Sequence, residues 1–339
     1  MINIAVIGYG YWGPNLVRNF VDNPETSVLY ICDNDSLRIK AAKQKYPFIK
    51  CTNNYKKLLN DENLHLIAIA TPVSSHFNLA LEALNAGKHV LLEKPMTTKV
   101  SEAERLINLA EKKGLKIFVD HTFIYTGAVR QLKTLLSSGS VGDIYYFDSV
   151  RVNLGLFQSD VNVIWDLAPH DFSIMDHLIS EKPAAISAIG ASRVQGLIED
   201  IAYVTVKFRS GLLAHFHVNW LSPVKIRRII IGGSQKMIVF DDLNPDEKIK
   251  VYDKGVTLID EPRDKIYTDL IQYRIGDMYV PRIESKEALK QEVEHIVDCL
   301  KNNKKPITDG EAGLEVIRLL EATQESIKNN GKFIKLHGE

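Results

Sequence analysis

The stretch INIAVIGYGYWGPNLVRNF, residues 2–20, constrains this chain more than any other. An apolar run of strand length is followed at once by Gly8, Gly10 and Gly13 in the spacing G-x-G-x-x-G, and then by residues at helical spacing. The glycine pattern alone is weak. Between a buried strand and a helix, each glycine has a task. The first admits a tight turn, the second lets a pyrophosphate approach the backbone, and the third lets helix pack closely on strand. The helix N-terminus then faces the anion, and Pro14 suits the first helical turn.

The same alternation continues. TSVLYICD, HLIAIAT, HVLLEKP and KIFVDHTF read as strands; SLRIKAAKQKY, HFNLALEALNAG and SEAERLINLAEKKG read as the helices between them. The strands are too apolar to be half-exposed, so a parallel sheet covered on both faces is expected. Near residue 122 the texture changes. After a helical stretch, GAVRQLKTLLSSG, strand-like segments dominate from DIYYFDSVRVNLG to KIKVYDKG, and two amphipathic helices lie near the end. The expected fold class is α/β. Residues 1–121 form a doubly wound parallel sheet, and residues 122–339 an α+β domain with a mostly antiparallel open sheet. A chain of 339 residues is long enough for two such cores.

With 42 basic and 42 acidic residues the formal net charge is +0, which argues against nucleic acid as the main partner. Cys32, Cys51 and Cys299 are too few and too scattered for a disulfide framework or a zinc site. No run of about 18 apolar residues offers a membrane span, and the N-terminus has no basic leader, so a cytoplasmic protein is expected.

Asp33 ends the second strand, 20 positions past Gly13, where a carboxylate can accept the ribose hydroxyls of a dinucleotide. Asn34 and Asp35 follow it and Arg38 comes later, so NAD is favoured over NADP, whose 2′-phosphate the carboxylate would repel. Ligands of an open parallel sheet sit beyond the carboxyl ends of its strands. Thr71-Pro72 and Glu93-Lys94-Pro95 fall there. Pro95 restricts Lys94 to an extended backbone and is a candidate for a cis bond, which would aim the amine. A lysine there can bind a substrate hydroxyl, although a plain surface ion pair with Glu93 is the competing reading.

A second constellation lies in IWDLAPHDFSIMDHL. Asp166 and His170 are four apart and share a helix face. Histidine is the side chain most suited to acid/base work at neutral pH. His215 and His217 alternate on a strand without a third ligand, so no metal site is expected. His121 and Tyr125 follow the fifth strand and could line the crevice, while Lys225, Arg227 and Arg228 could meet phosphate or a solvated edge.

These pieces together (GYGYWG, Asp33, Ala70-Thr71-Pro72, Glu93-Lys94-Pro95, Asp166 and His170) resemble the glucose–fructose oxidoreductase, inositol dehydrogenase and MocA family over essentially the whole chain. The resemblance implies that Lys94 and His170 act at the carbon undergoing hydride transfer, with Asp166 beside them. It also implies a second domain whose open sheet covers the active site on one face and builds dimers on the other, hence a homo-oligomer. The cofactor contacts expected are Gly8, Tyr9, Gly10, Tyr11, Trp12, Gly13, Asp33, Thr71, Pro72, His76, Glu93 and Lys94; the substrate contacts are Lys94, Tyr125, Arg151, Asn153, Asp166 and His170. The family commonly shows glycine between that aspartate and histidine, whereas here the segment runs Asp166-Leu167-Ala168-Pro169-His170, and Pro169 would stiffen the approach to the histidine.

Within the family, GYGYWGPNLVRNF, HTFIYTGAVRQLK, VRVNLG and WDLAPHDFSIMDHL look most like the branch that oxidises nucleotide-linked sugars for surface polysaccharides. The nearest likeness is to UDP-N-acetylglucosamine and UDP-glucuronate 3-dehydrogenases, with Arg151, Asn153, Lys225 and Arg227 as candidates for sugar and diphosphate contacts. A dehydrogenase of a free polyol, a keto-sugar reductase and a non-catalytic NAD-binding regulator remain alternatives.

Overall fold

The computed structural model describes residues 1–155, 161–194, 196, 198–258 and 271–336. The chain divides into two compact units. The first comprises Met1–Thr126 and Lys286–Glu321, the second Gly127–Ser285 and Ala322–Glu339.

The first unit is built on a six-stranded, wholly parallel sheet. Its strands are β1 (Ile2–Ile7), β2 (Thr26–Cys32), β3 (Lys50–Thr52), β4 (Leu66–Ile69), β5 (His89–Glu93) and β6 (Ile117–Asp120), in the order β3-β2-β1-β4-β5-β6. The order reverses at β1 and β4, the kind of switch point where doubly wound sheets open a ligand crevice. Every residue of β4 and β6 is buried, as the unbroken apolar runs require. Helices α1 (Gly13–Asp22), α2 (Ser36–Lys45), α3 (Lys56–Leu59), α4 (His76–Asn85) and α5 (Val100–Lys113) make the crossovers. Gly114 closes α5 in the left-handed conformation at φ 64°.

The expected single break near residue 121 needs correction. Helix α8 (Ala288–Lys301) belongs to the first unit although it follows Gly127–Ser285 of the second. Its apolar stripe, Leu289, Val293, Ile296 and Val297, lies in the same core cluster as Ile4, Val6, Leu16 and Phe20. Burying that stripe draws the chain back.

The second unit is a nine-stranded sheet with α6 (Gly127–Ser137) and α7 (Val163–Leu178). Its strands are β7 (Ile144–Leu154), β8 (Ala185–Ala191), β9 (Ile201–Lys207), β10 (Leu213–Asn219), β11 (Leu221–Gly233), β12 (Met237–Asp241), β13 (Ile249–Leu258) and β14 (Ile271–Tyr279), closed at one edge by β15 (Ile334–Lys335). Among the described residues only β10 and β7 pair in parallel, and the other pairings are antiparallel. The period-two register sorts the faces. Ala188, Val204, Phe216, Ile229 and Phe240 stand in one buried cross-strand row, and the Phe172 ring of α7 meets Phe216 edge-on at 4.8 Å. On the opposite face Ile189 and Tyr203 are paired and remain 69% and 47% exposed. Among the described residues, no helix is long and apolar enough to cross a membrane.

Candidate active site

In the first unit the glycine loop is built as its spacing implied. Gly8 has φ +96°, and a Cβ there would stand 2.4 Å from the Ala70 carbonyl oxygen. A Cβ on Gly13 would stand 1.9 Å from the Gly8 carbonyl oxygen, so the helix start has no room for any side chain. Gly10 instead opens onto space bordered by the Arg38 guanidinium at 3.3 Å. Two glycines are therefore demanded by packing, and the third leaves backbone accessible. That is the cradle a pyrophosphate needs.

Asp33 is 7% exposed and ties the loop in place: Oδ2 accepts from the Tyr9 backbone N–H at 2.6 Å, and Oδ1 from the Asp35 N–H at 2.8 Å. Arg38 lies 3.6 Å from the same carboxylate and also borders Gly10. A cation thus stands beside the carboxylate expected to meet the ribose, a neighbour that chain order alone left in the background. Tyr9 is buried, Tyr11 is 92% exposed, and the Trp12 indole N–H donates to Asp120 at the end of β6.

Lys94 leaves the end of β5, and its peptide bond to Pro95 is cis. The lysine's charge reaches Asp120 and His121. His121 is buried, and burial with that charge pushes its imidazole down to about 3, so it is neutral. His76 is buried as well. Its Nδ1 lies 3.0 Å from the Pro95 carbonyl oxygen and its Nε2 2.8 Å from that of Thr71. It joins the two crevice loops through their backbones, so its nitrogens are turned to the protein. The Thr71 hydroxyl meets that of Ser75 at 2.7 Å. Tyr125, expected to line the crevice, is 4% exposed with its hydroxyl 3.0 Å from that of Thr308. It faces the interior of the unit.

In the second unit, α7 is started by Asn162, whose side chain accepts from the Trp165 N–H at 3.1 Å. The helix continues through Pro169 to Leu178, so Asp166 and His170 do lie one turn apart, both half-buried. The Trp220 indole N–H donates to Asp166 at 3.1 Å, fixing that carboxylate from the sheet side. Arg151 does not take the place expected of it. It is 4% exposed, and its Nε and Nη2 donate to the two oxygens of Asp171, each at 2.8 Å. A guanidinium so engaged holds β7 to the helix beside His170 instead of reaching for a ligand. Asn153 is half-buried, Lys225 exposed, and Arg227 3.5 Å from Asp242.

Residues 2–121 match the oxidoreductase family described by its NAD-binding Rossmann fold, and residues 129–239 match the GFO/IDH/MocA C-terminal domain. The chain belongs to the GFO/IDH/MocA oxidoreductase family. A UDP-N-acetylglucosamine 3-dehydrogenase from Acidithiobacillus ferrooxidans is 27% identical over 74% of this chain and 75% of its own. A myo-inositol 2-dehydrogenase from Thermotoga maritima is 23% identical over 99% of this chain and 98% of its own. Among solved structures, the WlbA dehydrogenase from Bordetella pertussis in complex with NADH and UDP-GlcNAcA superposes with a TM-score of 0.82. It is 19% identical and covers 100% of this chain and 99% of that one. The chain is thus an oxidoreductase whose first unit is an NAD-binding domain, and the glycine cradle with Asp33 fits that cofactor.

Proposed function

We propose that the protein oxidises a ring carbon, C3, of a nucleotide-linked hexose such as UDP-N-acetylglucosamine or its uronate, in the supply of surface-polysaccharide sugars. The observation that carries the reading is the pairing of a glycine cradle with a lysine at the end of β5, in a family whose members include a UDP-N-acetylglucosamine 3-dehydrogenase. NAD, when bound, supplies the hydride acceptor.

Each residue's task follows from its chemistry. Lys94 binds the reacting hydroxyl, and its charge favours the oxygen as electron density grows there. His170 takes the hydroxyl proton as general base. Asp166, held by Trp220 one helical turn earlier, binds a neighbouring hydroxyl or orients the imidazole. Removing the proton eases departure of the hydride from the carbon. With Arg151 and Tyr125 turned inward, Asn153, Lys225 and Arg227 are the contacts left to the sugar and diphosphate.

A free polyol is the second reading, favoured by the likeness to the myo-inositol 2-dehydrogenase over nearly the full chain. The outer face of the nine-stranded sheet, with Ile189 and Tyr203 exposed, is the surface through which the chain self-associates. The decisive experiment is incubation with NAD and UDP-N-acetylglucosamine, followed by NMR of the product. A ketone at C3 of the intact UDP-sugar supports the reading, and an unchanged sugar rejects it.

A further inference from the structure

The end of β6 holds a pair of carboxyls that the proposed chemistry does not use. Asp120 and Glu292 are each 1% exposed. Asp120 accepts from the Trp12 indole on one oxygen and from the Thr122 hydroxyl on the other, and Lys94's charge also acts on it. Glu292, on α8, faces Asp120, and neither of its oxygens has any other partner among the described residues. Two carboxylates this close cannot both ionise cheaply where water is excluded. Burial lifts both, but Asp120 is drawn back by its two donors and by Lys94. Glu292 is lifted well above the carboxylate range by burial, then by Asp120 and Glu93. The other titratable groups around the pair are His121, neutral under burial and Lys94, and Tyr125, whose phenol is raised by burial and by Glu292.

We propose that Glu292 is a positioning residue that stores one proton at neutral pH, so that the pair presents a single negative charge to Trp12 of the glycine loop and to Lys94. A second charge would repel Asp120 within its pocket and loosen the indole contact that pins the loop. Cofactor affinity and the protonation of Glu292 are thereby linked. The inference rests on NAD binding by the glycine loop and not on the identity of the sugar, so no sugar is needed to test it.

Infrared spectra of the free protein at neutral pH should show the C=O stretch of a protonated carboxylic acid, shifted in D2O and absent from Glu292→Gln. Asp120→Asn should move the titration of that band to lower pH, which tests the pair should the glutamine variant fold poorly. NAD affinity of the native protein should fall as the pH is raised through the titration of that band, by about tenfold for one pK unit of linkage. In Glu292→Gln it should stay flat over the same range. A folded native protein with no such band, or a band that survives in Glu292→Gln, overturns the stored proton. An NAD affinity equally pH-dependent in both proteins overturns the link to the loop.

Discussion

Arg151 and Asp171 close a bidentate ion pair inside the second unit, with side chains only 4% and 3% exposed. Asp171 is the residue after His170, so the pair fastens the strand β7 to the helix turn that carries the proposed base. Arg151→Met should lower the unfolding free energy by about 3–5 kcal/mol, because it strands a buried carboxylate. The double variant Arg151→Met/Asp171→Leu should recover part of that loss. Urea denaturation of the three proteins checks it; a single variant as stable as the native chain would count against the pair.

Lys94→Ala and His170→Ala should each reduce turnover by about 10²-fold or more while leaving NAD affinity nearly unchanged. Steady-state rates alongside NAD titration by fluorescence separate the two quantities. A near-normal rate in either variant removes that residue from the chemistry.

Asp33→Ala should weaken NAD binding and relax discrimination against NADP. Arg38 stands 3.6 Å from the Asp33 carboxylate and would remain as a partner for a 2′-phosphate. Adding Arg38→Ala to Asp33→Ala should then abolish the gained NADP use. The ratio of kcat/KM for the two cofactors reads this directly, and an unchanged ratio would remove Asp33 from cofactor selection.

Burial holds His89 near 4, His121 near 3 and His177 near 4, all below the ordinary 6.5. Each takes up a proton more readily unfolded than folded, so the unfolded state binds more protons across that window. Their contribution to stability is complete above pH about 6.5 and is lost as the pH falls toward 4 and then 3. Thermal unfolding midpoints measured at successive pH values should fall steadily through this range. His121→Phe should flatten the lower end of the slope, and an unaltered slope would contradict its burial as a neutral ring.

Much of the first unit was legible because its strands are unbroken apolar runs separated by helices with clear spacing, and because Gly8 and Gly13 meet backbone that excludes a side chain. Strand β3 was not, since Lys50–Thr52 offers three residues and no period. The return of α8 was also missed: an amphipathic stripe shows that a face is buried but not against which sheet. Glu292 occupies that stripe, three residues after Leu289 and four before Ile296, and a carboxylate in an apolar row was the available signal. Arg151 left a similar trace, alternating with Phe147 and Ser149 on the buried face of β7. Arg151 was read by residue type, as a ligand-facing charge, where position in the pattern pointed inward.

The most direct measurement is absorbance at the NADH band after mixing the protein and NAD with UDP-N-acetylglucosamine, UDP-N-acetylglucosaminuronate, free inositol and free glucose, each with and without a keto acid. The expected result is NADH formation with a UDP-sugar and none with the free sugars. NADH formation with inositol and none with either UDP-sugar would contradict the nucleotide-sugar reading and leave the polyol dehydrogenase in its place.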